Sequence, residues 1–583
     1  KRPDAIGHHA RVTLEKLDRK ETLPAKIDYP LQTWSFGDSL GMVFLPGEVV
    51  VDYSLRLKRE LDCQRLWVNA YANGAPCYIP SERILKEGGY EGGGAMIYYD
   101  QPSAFKPGLE QPIVDVVKEQ LGKSFPPKFD GSKVSAMPKS PQQSLAAIQT
   151  KPNLVIELVA AEPLVDSPVA IDFGPDGKLW VCEMIDYPEG KTGKFEAGGR
   201  ISFLEDVDGD GRMDKRTTFL DGIPFPTGVK VWRKGVLICA APDIIFAEDT
   251  NGDGKADVVK KLFSGFGTGN YQGRVNGLEY GLDGWVYGSC GLFGGDIKSF
   301  NGKTYALGNR DFRIKPDTGE LEPVSGSSQQ GRVRDDWGNW FGCDNSTLIR
   351  HYPLDDHYLK RNPHVIPPPS AVFVPGDPNP NKLFPINQSA QRFALSGPPG
   401  NVTAACGLCI YRDNLLGEDF RGNAFVCEPV NLLVHRLKLS PKGSTFVGHR
   451  PDDEKDREFL ASTDNWFRPV QATTGPDGCL WIVDMYRHVI EHPRWIPPQD
   501  AAKLDLRAGA GMGRIYRVRP KGENFRDNRV GDTDLVNRMD TENGWARDMA
   551  TMKLLWGQAG KLDFGRFHVL GGLNTLTIQR LHV

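Results

Sequence analysis

A single turn that returns six times does most to constrain the fold of this chain. A Gly-bearing turn leads into a short apolar strand at 174–183, 233–241, 281–290, 336–345, 420–429 and 475–484 (GPDGKLWVCE, RKGVLICAA, GLDGWVYGSC, DWGNWFGCDN, FRGNAFVCEP and GPDGCLWIVD). The turn glycines stand at 177, 235, 284, 338, 422 and 478, at intervals of 58, 49, 54, 84 and 56 residues. A period of ~40–60 residues built on short strands is the signature of propeller blades. Six copies predict six blades, and the longest interval predicts an insertion in the Pro-rich stretch 363–380. The expected fold class is mainly β: a six-bladed β-propeller over 143–522, an α/β segment before it and a short helical tail after it.

Composition narrows the function. Lys plus Arg is 71 against 74 Asp plus Glu, a net charge of −3, which excludes a dedicated nucleic-acid binder. The 65 Gly and 43 Pro residues are too many breakers for a helical bundle. No apolar run approaches the ~18–20 residues that cross a bilayer. The chain begins at Lys1 without a charged-then-apolar leader, which leaves open a removed leader or an origin in a longer protein.

The flanks differ in character. Over 1–125, apolar residues at Val50, Tyr53, Leu57 and Leu61, and again at Ile113, Val116, Val117 and Leu121, have helical spacing. Strands are expected at 40–45 and 65–71. The Pro-, Ser- and Lys-rich stretch 126–142 reads as a linker. Over 523–583, Trp545, Met549, Met552 and Leu555, followed by Phe567, Leu570 and Leu573, predict a helical hairpin, the start of a HEAT-like repeat.

Two loops carry metal-ligand spacing. Asp206, Asp208, Asp210 and Asp214, and then Asp249, Asn251, Asp253 and Asp257, place oxygen side chains at positions 1, 3, 5 and 9 with Gly at position 6. This is the first part of a calcium loop. Thr217 and Lys260 occupy position 12, so neither loop is an EF-hand. Metal-free Asp/Gly hairpin turns are the alternative. Of the ten cysteines, Cys182, Cys239, Cys343 and Cys427 sit singly in apolar strands and are expected to be buried thiols. Cys406 and Cys409 form a C-x-x-C, which leaves open a local redox pair. Ile410 follows where haem attachment needs His.

Two family resemblances follow from longer strings. The Leu45-Pro-Gly-Glu48 element, the stretch from Asn69 to Tyr78 and the Gly-Tyr90-Glu-Gly element resemble the end of the catalytic domain of neutral/alkaline ceramidases, which are zinc amidohydrolases. The resemblance implies Glu48 and Tyr78 as part of a zinc site, with Tyr90 nearby to polarise the substrate carbonyl. The family's His ligands and Ser nucleophile have no counterpart here, and His8 and His9 do not fit. The strings at 159–184, 274–288, 335–351, 405–429 and 459–493 resemble the propeller of large planctomycete and verrucomicrobial proteins described as membrane-bound dehydrogenases. These are distantly similar to quinoprotein glucose and sorbosone dehydrogenases.

That second resemblance implies an exported oxidoreductase, periplasmic or extracellular. It would oxidise a sugar or alcohol with pyrroloquinoline quinone and calcium, and a cytochrome c would be its electron acceptor. The quinone carries three carboxylates and needs cationic clamps and a base. The candidates are Arg274, Arg332, Arg468 and Arg487 as clamps, and Asp484 or His435 as base. The stretch from Tyr271 to Asn276 lacks the catalytic His of soluble glucose dehydrogenases. Two other readings stand beside this one: a non-catalytic carbohydrate- or protein-binding propeller, and a truncated zinc amidohydrolase.

Overall fold

The computed structural model describes every residue except 1–3, 63–64, 126–136, 360, 388–399, 503, 525, 527–528, 533–534 and 558–583. The chain forms two compact units, residues 1–134 and residues 135–390 with 399–583. The division falls inside the 126–142 stretch, most of which lies outside the described residues.

In the first unit a three-stranded sheet runs in the order Gln32–Phe36, Leu40–Phe44, Leu66–Asn69, the first pair antiparallel and the second parallel. The helical spacings at 50–61 and 111–121 become the helices Val51–Glu60 and Glu110–Leu121. Their apolar stripes join the sheet in a core that includes Val43, Tyr53, Leu57, Val114 and Val117. A further helix, Ala5–Asp18, buries none of its residues.

The second unit consists of six antiparallel sheets in chain order. Their leading strands are Pro168–Phe173, Gly228–Trp232, Asn276–Tyr280, Arg332–Arg334, Cys406–Ile410 and Pro469–Thr474. Each leading strand packs against the next, and the sixth packs against the first. Five of the repeat glycines stand in the turn between the first and second strands of their sheets, and Gly235 opens the second strand of its own. Gly177, Gly284, Gly338, Gly422 and Gly478 have φ between +74° and +90°, which explains why glycine recurs there. Gly235 differs: Arg233 takes the left-handed conformation, and a Cβ on Gly235 would stand 2.1 Å from the Ala247 carbonyl.

Strands from the start of the unit complete the last sheets. Leu154–Ala161 is the outer strand of the sixth sheet, paired with Arg514–Pro520, and Ile148–Gln149 pairs with Leu460–Ser462 of the fifth. The long interval holds the edge strand Val372–Phe373 of the fourth sheet. Buried strands such as Gly235–Ala240, and Leu480–Asp484 up to its terminal acid, are apolar, and each large side chain so covered contributes about 1.5–3 kcal/mol.

The helix Gly544–Gly557 lies across the turn end of the leading strands. Trp545 meets Phe173, and Trp556 meets Trp232 and Tyr280. Asp548 accepts from Arg334 and Arg412, and Asn543 donates to the Gly475 carbonyl. The helix and the residue before it thus reach a leading strand, or the turn that follows it, in each of the six sheets. The second half of the expected hairpin lies outside the described residues. No described helix is long and apolar enough to cross a membrane.

Cys406 and Cys409 are both buried, and burial pushes the Cys409 thiol up to about 12. That is the reverse of a reactive thiolate.

Candidate functional site

The starts of the leading strands and the turns after the second strands share one end of the second unit, its mouth. Apolar side chains pack together at this end. Met184, Tyr187, Phe225, Val430, Met485 and Ile490 form one buried cluster, drawn from both sides of the sheet sequence. Tyr187 and Gln272 both donate to the Ile490 carbonyl, which fixes the 485–496 segment across the mouth.

Around this cluster lie buried polar groups with open valences. Among the described residues, Asp186 Oδ1, Asp484 Oδ2, Arg487 Nε and Glu491 Oε2 have no hydrogen-bond partner. Each belongs to a side chain less than a tenth exposed. Buried polar atoms normally find partners, and clusters that do not are markers of function. Backbone strain gathers at the same end. Ser167, Phe195, Phe225, Leu432 and Tyr486 are non-glycine residues with φ between +45° and +62°, each at an energetic cost of about 1–3 kcal/mol.

Asp484 ends the second strand of the sixth sheet. Its Oδ1 accepts the backbone N–H groups of Arg468 and Tyr486 at 2.8 Å each. Burial pushes its carboxyl up to about 7, into the range of a general base at neutral pH. Asp186 is raised by burial as well.

The four predicted arginine clamps are engaged elsewhere. Arg468 donates to the carbonyls of Arg487, Pro429 and His488. Arg487 donates to Arg507 O and Ser167 Oγ. Arg332 pairs with Asp311 at 2.9 Å and donates to Ser325 O, inside the sheet packing. Arg274 donates to Thr268 O and lies 3.9 Å over the Tyr271 ring. Burial lowers Arg274, Arg468 and Arg487 below the ordinary guanidinium value, Arg487 to about 10 with Arg507 adding to the effect. With their guanidinium groups held by backbone carbonyls, Asp311 and Ser167, these four arginines do not fit as clamps for a flat tricarboxylate quinone. His435 is also displaced from its expected role. It sits on the third strand of the fifth sheet, buried and 2.7 Å from Glu458, away from the leading strands.

The sequence reading missed the aromatic part of the mouth. Phe195, Tyr271 and His492 stack, with centroids 5.7 and 5.1 Å apart and planes within 16° and 3°. A Cβ on Gly269 or Gly273 would touch Phe293 or Leu292, and Arg494 donates to Gly269 O beside Trp495. Phe195, Leu292, Phe293 and Trp495 are 44–51% exposed. The available signal was the Glu491-His492-Pro493 string closing the 459–493 segment.

The two acidic loops join the third and fourth strands of the first and second sheets, and they fold alike. Asp206 accepts from the N–H groups of Gly209 and Gly211, and Asp249 from those of Gly252 and Gly254. Asp214 and Asp257 accept from Val207 N and Thr250 N. Asp206, Asp208 and Asp210 bring one oxygen each within 4.8 Å of one another, which fits a hard divalent cation. The second loop, with Asn251 in place of an acid, is not gathered as closely. A chelator is expected to lower the melting temperature, because a ligand at 100 times its Kd adds about 2.7 kcal/mol to the folded state. Calorimetry with and without chelator, repeated on Asp208→Asn, reads this out; equal melting temperatures would remove the calcium assignment.

In the first unit Glu48 and Tyr78 stand opposite each other in a parallel bridge and are hydrogen-bonded, with Tyr99 also donating to Glu48 at 2.8 Å. Tyr90 packs 5.5 Å from Tyr78. The Tyr78 bond holds the Glu48 carboxyl low and the Tyr78 phenol high. His8 and His9 lie against Asp100 instead. Among the described residues, only the Glu48–Tyr78 half of the expected zinc site comes together.

No curated protein matches the chain. Among solved structures, the chain is similar to the holo form of the pyranose dehydrogenase PQQ domain from Coprinopsis cinerea (12% identity, 64% of this chain and 97% of that chain, TM-score 0.36). It is also similar to a glucose dehydrogenase (13%, 62% and 99%, TM-score 0.35). A third likeness is to virginiamycin B lyase from Staphylococcus aureus (12%, 64% and 99%, TM-score 0.31). At these values each is a likeness and no more. The family model described as Domain of unknown function (DUF7133) matches residues 140–522, about two thirds of the chain, and the chain belongs to that family.

Proposed function

We propose that the second unit is a six-bladed β-propeller that binds a sugar or comparable polyol at its mouth. The carrying observation is the half-exposed aromatic platform around Phe195 and Tyr271, set over buried polar atoms that lack partners. Aromatic faces cover the apolar face of a sugar ring, and convergent polar groups fix its hydroxyls. The cyclic packing of the leading strands and the outer strand Leu154–Ala161 support the closed six-bladed reading. Calcium in the first acidic loop would have a structural role, because the loop lies in an outer hairpin. An exported protein meeting extracellular sugars is consistent with this reading.

Asp484 favours a second reading, in which it accepts a proton from the bound hydroxyl.

Titration calorimetry with a panel of aldoses and sugar alcohols tests the binding. Wild type is expected to bind one class, and Phe195→Ala to weaken it at least tenfold with the melting temperature unchanged. Absence of binding across the panel, or an unchanged affinity in Phe195→Ala, would overturn the assignment.

A further inference from the structure

The three-stranded sheet of the first unit has one covered face and one open face. Gly41, Val43 and Leu66 point into the core, where Phe125 lies against Gly41. The register places Trp34 opposite Met42, and Met42 opposite Trp67; Phe36 pairs with Leu40, and Gln32 with Phe44. Side chains alternate between the two faces of a sheet. Trp34, Phe36, Leu40, Met42, Phe44 and Trp67 therefore share the open face. Trp34, Phe36 and Trp67 are 53–57% exposed, and the other three are partly covered. Trp34 packs on Phe44 at 4.9 Å, so the face is one continuous patch. Parallel strand pairs occur in sheets covered on both sides, and contiguous exposed apolar patches mark interaction surfaces.

We propose that this face is the interface of a homodimer, in which a second copy of the chain presents the same face. Three features favour a second copy. The face carries no charged side chain, so its own copy meets no repulsion and leaves no buried ion unpaired. Gln32 and Asn69 at its margin can hydrogen-bond their counterparts across a two-fold axis, as an isologous interface requires. Two such sheets can stack as in a β-sandwich, about 10 Å apart with strands aligned within about 30°. The area also fits: an aromatic side chain buries about 150–250 Å² when fully covered, and with the partly covered neighbours each partner would bury about 500 Å². The resulting total of about 1,000 Å² is at the lower limit for a specific interface. A reversible dimer with a micromolar Kd is expected.

Sedimentation velocity of the full chain from 1 to 200 μM tests this. Wild type is expected to pass from monomer to dimer across the range. Trp34→Ser/Trp67→Ser should weaken the dimer at least tenfold, with an unchanged far-ultraviolet spectrum because both side chains are already half exposed. Val51→Ser, an exposed apolar position on a helix outside the face, should leave it intact. Wild type monomeric at 200 μM, or a dimer that survives the double substitution, would overturn the proposal. Should the double variant misfold, Phe36→Ser alone must still weaken the dimer.

Discussion

Asp548→Ala is expected to destabilise the second unit by about 3–5 kcal/mol, because it leaves two buried cations without their shared acceptor. Asp548 is 5% exposed, and it accepts from Arg334 at 2.6 Å and from Arg412 at 2.5 and 3.0 Å. Burial alone would raise the Asp548 carboxyl; Arg334 and Arg412 outweigh it and hold the group far below the usual carboxylate range. A carboxyl so depressed contributes stability that is present above pH ~4 and is lost as pH falls through its folded value. Arg334 belongs to the fourth sheet and Arg412 follows the leading strand of the fifth, so the substitution also loosens the helix from both sheets. Thermal and chemical unfolding at pH 7 should show a melting temperature several degrees lower. A variant as stable as wild type would mean that the helix does not brace the sheets.

Asp484→Asn is expected to act in the opposite direction at neutral pH. A carboxyl raised from about 4 to about 7 on folding holds a proton in the native state that the unfolded state has released. The stability this provides is complete below pH ~4 and is lost as pH rises to about 7. The span corresponds to on the order of 4 kcal/mol. Asparagine cannot ionise and keeps an oxygen for the N–H groups of Arg468 and Tyr486. Wild type should therefore lose stability relative to the variant between pH 5 and pH 7.5. Denaturant titrations at four pH values give the difference directly, and the other raised carboxyls, Asp186 and Glu428 among them, cancel in it. Parallel pH curves would show that Asp484 is ionised throughout and is not raised by folding.

The repeat was legible because its glycines are there for backbone reasons. Five of the six have the positive φ that only glycine adopts freely, and the sixth sits too close to a carbonyl for any side chain. The helix at 544–557 was legible from its apolar spacing, but its place was not. Its partners Phe173, Arg334 and Arg412 lie 130 residues or more away in sequence and carry no shared pattern. The strand Leu154–Ala161 belongs to the sixth sheet, the last in chain order, which local periodicity cannot reveal. The mouth was half legible. Asp484 was named as a base after an inner strand, and it is buried at the end of that strand. The same reading took arginine for a cofactor clamp, whereas three guanidinium groups there bind backbone carbonyls, which every residue possesses and no sequence marks. His435 fails for a related reason: its partner Glu458 is 23 residues away on an adjoining segment.

Hydrogen exchange with and without a bound sugar tests the central claim most directly. The mouth is built from 167, 186–195, 225, 268–274 and 484–496, segments joined by the Tyr271–His492 stack and the hydrogen bonds to the Ile490 carbonyl. A sugar or polyol that binds should slow exchange in these segments together and leave the acidic loops at 206–214 and 249–257 unchanged. Protection confined to the turn end or to the first unit, or none with any ligand of the class, would contradict the placement of the site.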